Sequence, residues 1–351
     1  HLIVFKYISM NTNDFDYFLP KSLIAQNPIE PRDHSKLMLV NRKSSTVNHG
    51  FFYDLPDCLV EGDVLVFNNT KVIPARIYGL SEKSNAHIEL LLLSREEKGT
   101  WKALVKPGKR MRIGDSFKVI SKKGNTINGE VLDIYDDGSR LIDLSGIYEL
   151  EDIGEIPLPP YIHKNIEDPN RYQTVYSKYD GSIAAPTAGL HFTNELLQKL
   201  TDLGVKFAYV TLHVGVGTFK PVSVDNIQDH KMHAEWWKLS NKAANIINDA
   251  KMNSNRIISV GTTSARLLEH VATKQNSKYV KADSGWADIF IRPGYEFKMV
   301  DGLITNFHLP KSTLLMLISA FSSKDIIFNA YNVAIESDYR FYSFGDAMFI
   351  I

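Results

Sequence analysis

The chain has 351 residues, 44% apolar and 23% charged, with 21 Gly and 14 Pro, an ordinary globular composition with room for two domains. Its 40 lysines and arginines balance 40 aspartates and glutamates, so no global field advertises a nucleic-acid or membrane partner, and a polyanion must be met by a local basic patch. The single cysteine, Cys58, excludes an internal disulfide framework and a cysteine-based zinc cluster, and with no apolar run near the ~18–20 residues of a membrane span, a cytoplasmic location is expected.

In chain order, residues 1–9 lack the basic flank of a signal peptide, and Met10 followed by Asn11-Thr12-Asn13 reads as a natural start, so 1–9 are expected to be a non-native extension. Lys36–Asn41 is strand-like. From 62 to 150 the chain reads as short strands at Asp63–Phe67, Ala75–Leu80, His87–Leu93, Trp101–Val105, Ser116–Ile120, Gly129–Ile134 and Arg140–Leu144. Turn-formers such as Asn68-Asn69, Pro107-Gly108 and Gly124-Asn125 separate them. Such a series predicts a small barrel or sandwich.

After about 190, strands and helices alternate. Thr193 is placed to cap a helix carrying Leu196, Leu197, Leu200 and Leu203 that Gly204 ends. A strand is predicted at Val205–Val214, a helix capped by Ser240 through Met252, a buried strand at Arg256–Val260 and a helix through Ala265–Ala272. Strands at Asp288–Ile291 and Leu303–Phe307, helices at Ser312–Phe321 and Lys324–Glu336, and a strand near Met348–Ile351 complete the chain. The fold class expected is α/β: a mostly parallel sheet layered with helices, plus an inserted small β-barrel. Residues 10–61 and 151–351 would form the α/β catalytic domain, and 62–150 the barrel.

Six segments are denser in Gly, His, Thr and Arg than packing needs, and most follow a predicted strand, where open α/β sheets bind ligands. They are Ala185-Pro-Thr-Ala-Gly-Leu-His-Phe-Thr193, Val210-Thr-Leu-His-Val-Gly-Val-Gly-Thr-Phe219 and Gly261-Thr-Thr-Ser-Ala-Arg266. The others are Ile291-Arg-Pro-Gly-Tyr-Glu-Phe297, Asn306-Phe-His-Leu-Pro-Lys-Ser-Thr313 and Tyr339-Arg-Phe-Tyr-Ser-Phe-Gly-Asp346. Gly215-Val-Gly217 is no dinucleotide fingerprint, because Lys220 stands where the third glycine belongs. Gly261-Thr-Thr-Ser264, between a strand and a helix, offers backbone N–H groups to a carboxylate or phosphate, or is simply a helix cap. His230, His233 and Glu235 are close in sequence, but their spacing matches no zinc motif, and no metal is expected. Each of His191, His213 and His308 is either chemical or a hydrogen-bonded structural histidine. Trp101–Arg112 carries five positive charges and no acid across a predicted strand–turn–strand; it suits phosphates or is a solvated hairpin guarded by lysines.

Together these segments resemble the S-adenosylmethionine:tRNA ribosyltransferase-isomerase family of queuosine biosynthesis. The resemblance runs from Asp14-Phe-Asp-Tyr17 to Phe349. It includes Gly62-Asp-Val-Leu-Val-Phe-Asn-Asn-Thr-Lys-Val-Ile-Pro-Ala-Arg76, Leu104-Val-Lys-Pro-Gly-Lys-Arg110, Gly154-Glu-Ile-Pro-Leu-Pro-Pro-Tyr-Ile162 and Arg171-Tyr-Gln-Thr-Val-Tyr176. It departs at Ala287 and Arg292, where Thr and Tyr are expected.

The resemblance implies transfer and isomerisation of the ribosyl part of S-adenosylmethionine onto 7-aminomethyl-7-deazaguanine at the tRNA wobble position, giving epoxyqueuosine and releasing adenine and methionine. S-adenosylmethionine would be a co-substrate, with no permanently bound cofactor, and the tRNAs those for Tyr, His, Asp and Asn. A monomer is expected. Such chemistry needs a base, a proton donor for adenine, aromatics for adenine and the sulfonium, and a water-excluding pocket. His213, Glu235, His191 and His308, with Tyr295, Phe192 and Phe307, meet that specification, His213 first and Glu235 next. Gly215 and Gly217 would permit close approach of a ligand. Gly261, Thr262, Thr263, Ser264 and Arg266 would hold the methionyl carboxylate. Arg76, Lys106, Lys109, Arg110 and Arg112 are the candidate tRNA contacts. Two other readings, a different S-adenosylmethionine-dependent tRNA-modifying enzyme and a noncatalytic RNA-binding protein, would be separated from this one by release of adenine.

Overall fold

The computed structural model describes residues 10–97, 99–144, 146, 148–164, 166–219 and 222–351; the segment 1–9 and Lys220 lie outside them. The chain opens with β1 (Lys36–Asn41), β2 (Thr46–Phe51), β3 (Val64–Asn68) and β4 (Thr70–Val72). The barrel strands follow: β5 (Arg76–Ser81), β6 (His87–Arg95), β7 (Thr100–Lys106), β8 (Ser116–Ile120), β9 (Thr126–Ile134) and β10 (Arg140–Asp143). A short helix α1 (Leu150–Ile153) leads to β11 (Gly154–Glu155) and β12 (Tyr179–Ser182). Then come α2 (Asn194–Asp202), β13 (Lys206–Leu212), β14 (Glu235–Leu239), α3 (Asn241–Met252), β15 (Ile257–Val260) and α4 (Thr262–Gln275). The chain ends with β16 (Asp283–Ala287), β17 (Gly302–Asn306), α5 (Thr313–Phe321), α6 (Lys324–Glu336) and β18 (Ala347–Ile350).

A nine-stranded mixed sheet runs β16-β14-β13-β3-β15-β17-β18-β1-β2. Its centre, β13-β3-β15-β17, is parallel, and β14 and β16 extend one end as antiparallel strands. The centre is read from β3: Val64 and Val66 enter a core with Ala208, Val210, Ala243, Leu267 and Leu315. Leu65 and Phe67 point the other way, against Phe52, Phe192, Leu196 and Leu200. A strand apolar on both sides must be covered on both faces, and helices supply that cover. Asp63–Phe67, expected as a barrel strand, therefore belongs to the centre of the large sheet.

The six strands β5-β6-β7-β10-β9-β8 close into an antiparallel barrel, Leu80 facing Lys118 and Ser81 facing Phe117 across the seam. Closure leaves no open edge, and the alternate inward residues Ile77, Leu90, Ala103, Phe117, Val131 and Ile142 fill an independent core. The two chain connections of the barrel lie side by side: Gly154 pairs with Ile77, and there is no room for a Cβ at Gly154 beside the Pro74 carbonyl.

The capping signals behave as expected. The hydroxyls of Thr193, Ser240 and Ser312 accept from the N–H groups of Leu196, Ala243 and Leu315. Asp288–Ile291 is not a strand. The pairing segment is Asp283–Ala287, whose Gly285 and Ala287 turn inward while Ser284 and Trp286 face outward. Among the described residues no single helix is long and apolar enough to cross a membrane.

Candidate active site

A small cavity of ≈ 50 Å³ sits beyond the carboxyl ends of β15 and β17, lined among others by Pro186, Thr187, Val214, Thr262, Thr263, Asn306, Phe307, His308 and Tyr342. Five of the six sequence segments thus converge there from distant parts of the chain. His308 is its one titratable imidazole. Its Nε2 shares a 2.8 Å hydrogen bond with Thr305 Oγ1, and burial pushes its pKa down to about 3. Phe307 is fully buried, edge-on to Tyr331 and Tyr339.

Gly261, with φ +89°, turns the chain from β15 into α4. Thr262 and Thr263 face the cavity, while Ser264 Oγ returns to the Val260 carbonyl at 3.0 Å and is committed to the backbone. One turn along α4, Arg266 donates to Glu235 Oε2 at 2.5 Å, and Glu235 Oε1 accepts from the Gly215 N–H at 3.0 Å. Both side chains are buried, and Nε and Nη2 of Arg266 have no hydrogen-bond partner among the described residues. Buried donors of this kind are uncommon, though Trp237 Nε1 and Ser319 Oγ share the condition, and Arg266 itself lines neither this cavity nor the larger groove around His213. Gly217 lies in a short 3-10 turn against the His233 ring.

His213 is not in this cavity. It faces a larger groove of ≈ 690 Å³ on the other side of its strand, lined also by Asn69, Tyr176, Tyr209, Trp236 and Lys242. Its Nδ1 shares a 2.8 Å hydrogen bond with Thr70 Oγ1, and its ring stacks on Trp236 at 5.1 Å. A Cβ at Gly181 would stand 2.8 Å from Nε2, so a glycine there lets the backbone cover the imidazole. Burial lowers the His213 pKa below its ordinary value.

His191 lies in the core layer on the far side of the sheet, stacked on Phe52 and sharing a 2.7 Å bond with Ser35. Its pKa is pushed down to about 3, chiefly by burial and then by the Arg340 charge. The Asn306 amide faces its other nitrogen without reaching hydrogen-bond geometry. Tyr295 lines neither cavity: its hydroxyl donates to Glu269 Oε2 at 3.0 Å, about two turns down α4, where the Glu269 carboxylate also accepts from the Met299 and Val300 N–H groups.

On the barrel, Lys106, Lys109, Arg110 and Arg112 are exposed; the Asp115 carboxylate accepts from the Arg112 backbone N–H at 2.7 Å and feels its charge, and none of the four forms a side-chain ion pair among the described residues. Arg140 braces their turn from beneath, donating to the carbonyls of Gly108 at 2.7 Å and Met111 at 3.1 Å. Arg76 is different: it is half-buried and paired with Glu89 at 3.3 Å. His233 is exposed and Glu235 turns inward to Arg266, so the His230–Glu235 segment does not gather into one cluster.

Sequence reasoning missed Asn68 and Asn69, read as turn-formers. The Asn68 amide forms hydrogen bonds with both the N–H and the carbonyl of Leu212 and reaches Thr263 at 3.3 Å, and Asn69 accepts from Thr211. Two buried amides after an all-apolar run were the available signal, since such groups need partners.

A family model described as "Queuosine biosynthesis protein" matches residues 12–350. The chain is 53% identical over 346 residues, 97% of this chain and 100% of the relative, to the S-adenosylmethionine:tRNA ribosyltransferase-isomerase of Staphylococcus saprophyticus. The crystal structure of S-adenosylmethionine tRNA ribosyltransferase from Thermotoga maritima is 37% identical, with a TM-score of 0.55 over 96% of this chain and 100% of that one. Fold and similarity together define a transferase. The chain belongs to the S-adenosylmethionine:tRNA ribosyltransferase-isomerase family of queuosine biosynthesis.

Proposed function

We propose that the chain transfers and isomerises the ribosyl moiety of S-adenosylmethionine onto 7-aminomethyl-7-deazaguanine at the wobble position of tRNA, forming epoxyqueuosine and releasing adenine and methionine. The tRNAs are those for Tyr, His, Asp and Asn, and the enzyme works as a cytoplasmic monomer. The observation that carries the assignment of the site is the convergence of five distant segments on one cavity at the strand ends.

The sulfonium acidifies the adjacent ribose carbon and makes methionine a good leaving group, so the protein must move protons and keep out water. The first turn of α4, with the two Arg266 nitrogens that lack a partner among the described residues, takes the methionyl carboxylate. The cavity in its present form is far below the ~300–1,000 Å³ of a typical ligand site, so binding opens it. His213, in the neighbouring groove, has the right chemistry for a base: burial lowers its pKa and so favours the neutral imidazole, and the Thr70 hydroxyl engages its Nδ1 and fixes the ring. His308 and His191, at about 3, are neutral throughout the working range and serve as hydrogen-bonding groups rather than proton donors.

Incubation with tRNA carrying the aminomethyl base and S-adenosylmethionine should yield free adenine and methionine. S-adenosylhomocysteine in their place would make the protein a methyltransferase. Binding of tRNA without any turnover would make it an RNA-binding protein.

A further inference from the structure

The antiparallel end of the large sheet carries a partly exposed aromatic face: Trp286 is open to solvent, Trp236 is half-buried, and His213 is half-buried beneath the Gly181 backbone. Trp236 on β14 is directly opposite Trp286 on β16, and the His213 N–H at the end of β13 donates to the Trp236 carbonyl. Residues directly opposite share a face. The three rings therefore form a row across three strands spaced by ~4.8 Å, with His213 and Trp236 stacked at an interplanar angle of 18°. Their neighbours in sequence, Trp237 and Ala287, point into the core, whereas Trp286 is 62% exposed. The row continues into the ≈ 690 Å³ groove, which Tyr209 also lines.

The charges on this surface are one-sided. Lys178, Lys238 and Lys242 line the groove, are exposed and have no carboxylate partner among the described residues, and the one acid there, Asp180, is paired with Lys71 at 3.2 Å. Flat aromatic rings beside unpaired cations match unstacked bases joined by phosphates. The rings take any base on its π-face, and the lysines take the backbone. A second protein subunit would seek an apolar patch, with lysines scarce at its centre.

We infer that the His213–Trp236–Trp286 row and its adjoining groove form a platform for the unpaired nucleotides of an RNA loop, delivering the reacting base toward His213. This rests on the tRNA reading above and adds where the loop is held. It is distinct from the basic turn of the barrel, whose Lys106, Lys109, Arg110 and Arg112 suit phosphates.

The test uses the full chain, a synthetic anticodon stem-loop RNA and a fully paired RNA duplex. Two of the four tryptophans lie in the platform, so the stem-loop should quench intrinsic fluorescence and the duplex should not. Trp286→Ala, at an exposed position, should weaken stem-loop binding about ten-fold or more, and Trp286→Phe should recover most of it. Lys238→Ala with Lys242→Ala should flatten the salt dependence by about 0.7 log units per lost contact. Stem-loop binding by Trp286→Ala equal to the wild type, with adenine release from S-adenosylmethionine in the presence of tRNA intact, overturns the platform and leaves the proposed activity standing. Failure of the wild type to bind tRNA or release adenine overturns both. If Trp286→Ala instead dissociates a dimer in sedimentation and spares RNA affinity, the face joins two copies of the chain and the inference is wrong.

Discussion

Arg266 and Glu235 form an ion pair at 2.5 Å in which neither side chain is more than 6% exposed, and it ties the first turns of α4 to the first residue of β14. Removing one member of such a pair leaves an uncompensated buried charge. Arg266→Ala should therefore cost about 3–5 kcal/mol in urea unfolding. It should also raise the KM for S-adenosylmethionine and leave tRNA affinity nearly unchanged. Loss of tRNA affinity with normal cofactor-substrate binding would move this segment to the RNA side.

His213 and Val214 are neighbours in sequence but face different cavities. A proton-transfer role for His213 predicts that His213→Asn cuts kcat by ~10²-fold or more. Because burial lowers its pKa, the base is already neutral at the ordinary histidine value of 6.5, and the acid limb of kcat should fall below that. A small loss confined to KM would make His213 a positioning residue.

The exposed turn of Lys106, Lys109, Arg110 and Arg112 should contribute backbone contacts only. Neutralising Lys109 and Arg110 together should weaken all substrate tRNAs about equally. It should also reduce the salt slope by roughly 0.7–0.9 log units per lost phosphate contact. S-adenosylmethionine binding, measured separately, should not change. Normal tRNA binding at two salt concentrations would make the turn an ordinary solvated hairpin.

Acid should act on the fold through His191 and His308. Each has a native pKa of about 3 against 6.5 in the free side chain, so the unfolded chain binds more protons between those values. Their contribution to stability is whole above 6.5 and drains away as pH falls toward 3. Chemical denaturation from pH 7 to 4 should show this loss, and changing both to Gln should flatten it. An unaltered slope in the double variant would place the acid sensitivity elsewhere.

Helix boundaries were legible wherever a local hydroxyl decided them, as at Thr193, Ser240 and Ser312. The assignment of β3 was not, because Val64–Asn68 satisfies a barrel wall and a sheet centre equally well until β13 and β15 are known to flank it. β14 was hidden because Glu235–Leu239 buries alternate residues in the core, Trp237 against His270 of α4, while exposing Lys238, a pattern whose partner β16 is far away in sequence. The site segments were legible as compositional anomalies. That His213 and Val214, adjacent in sequence, belong to two cavities was not, since alternation along the chain turns them to opposite sides. Tyr295 shows the converse: an aromatic in a glycine-marked segment whose work is to hold a loop to Glu269.

The contact between Gly154 and the Pro74 carbonyl brings together the inbound and outbound strands of the barrel. A module whose ends meet can be deleted and its host rejoined across a very short gap. With a separate core of its own, it should also melt on its own schedule. Calorimetry should then resolve two heat-absorption peaks rather than one, and a chain joined from Ala75 to Gly154 should keep the higher-order signature of the large sheet while losing one of them.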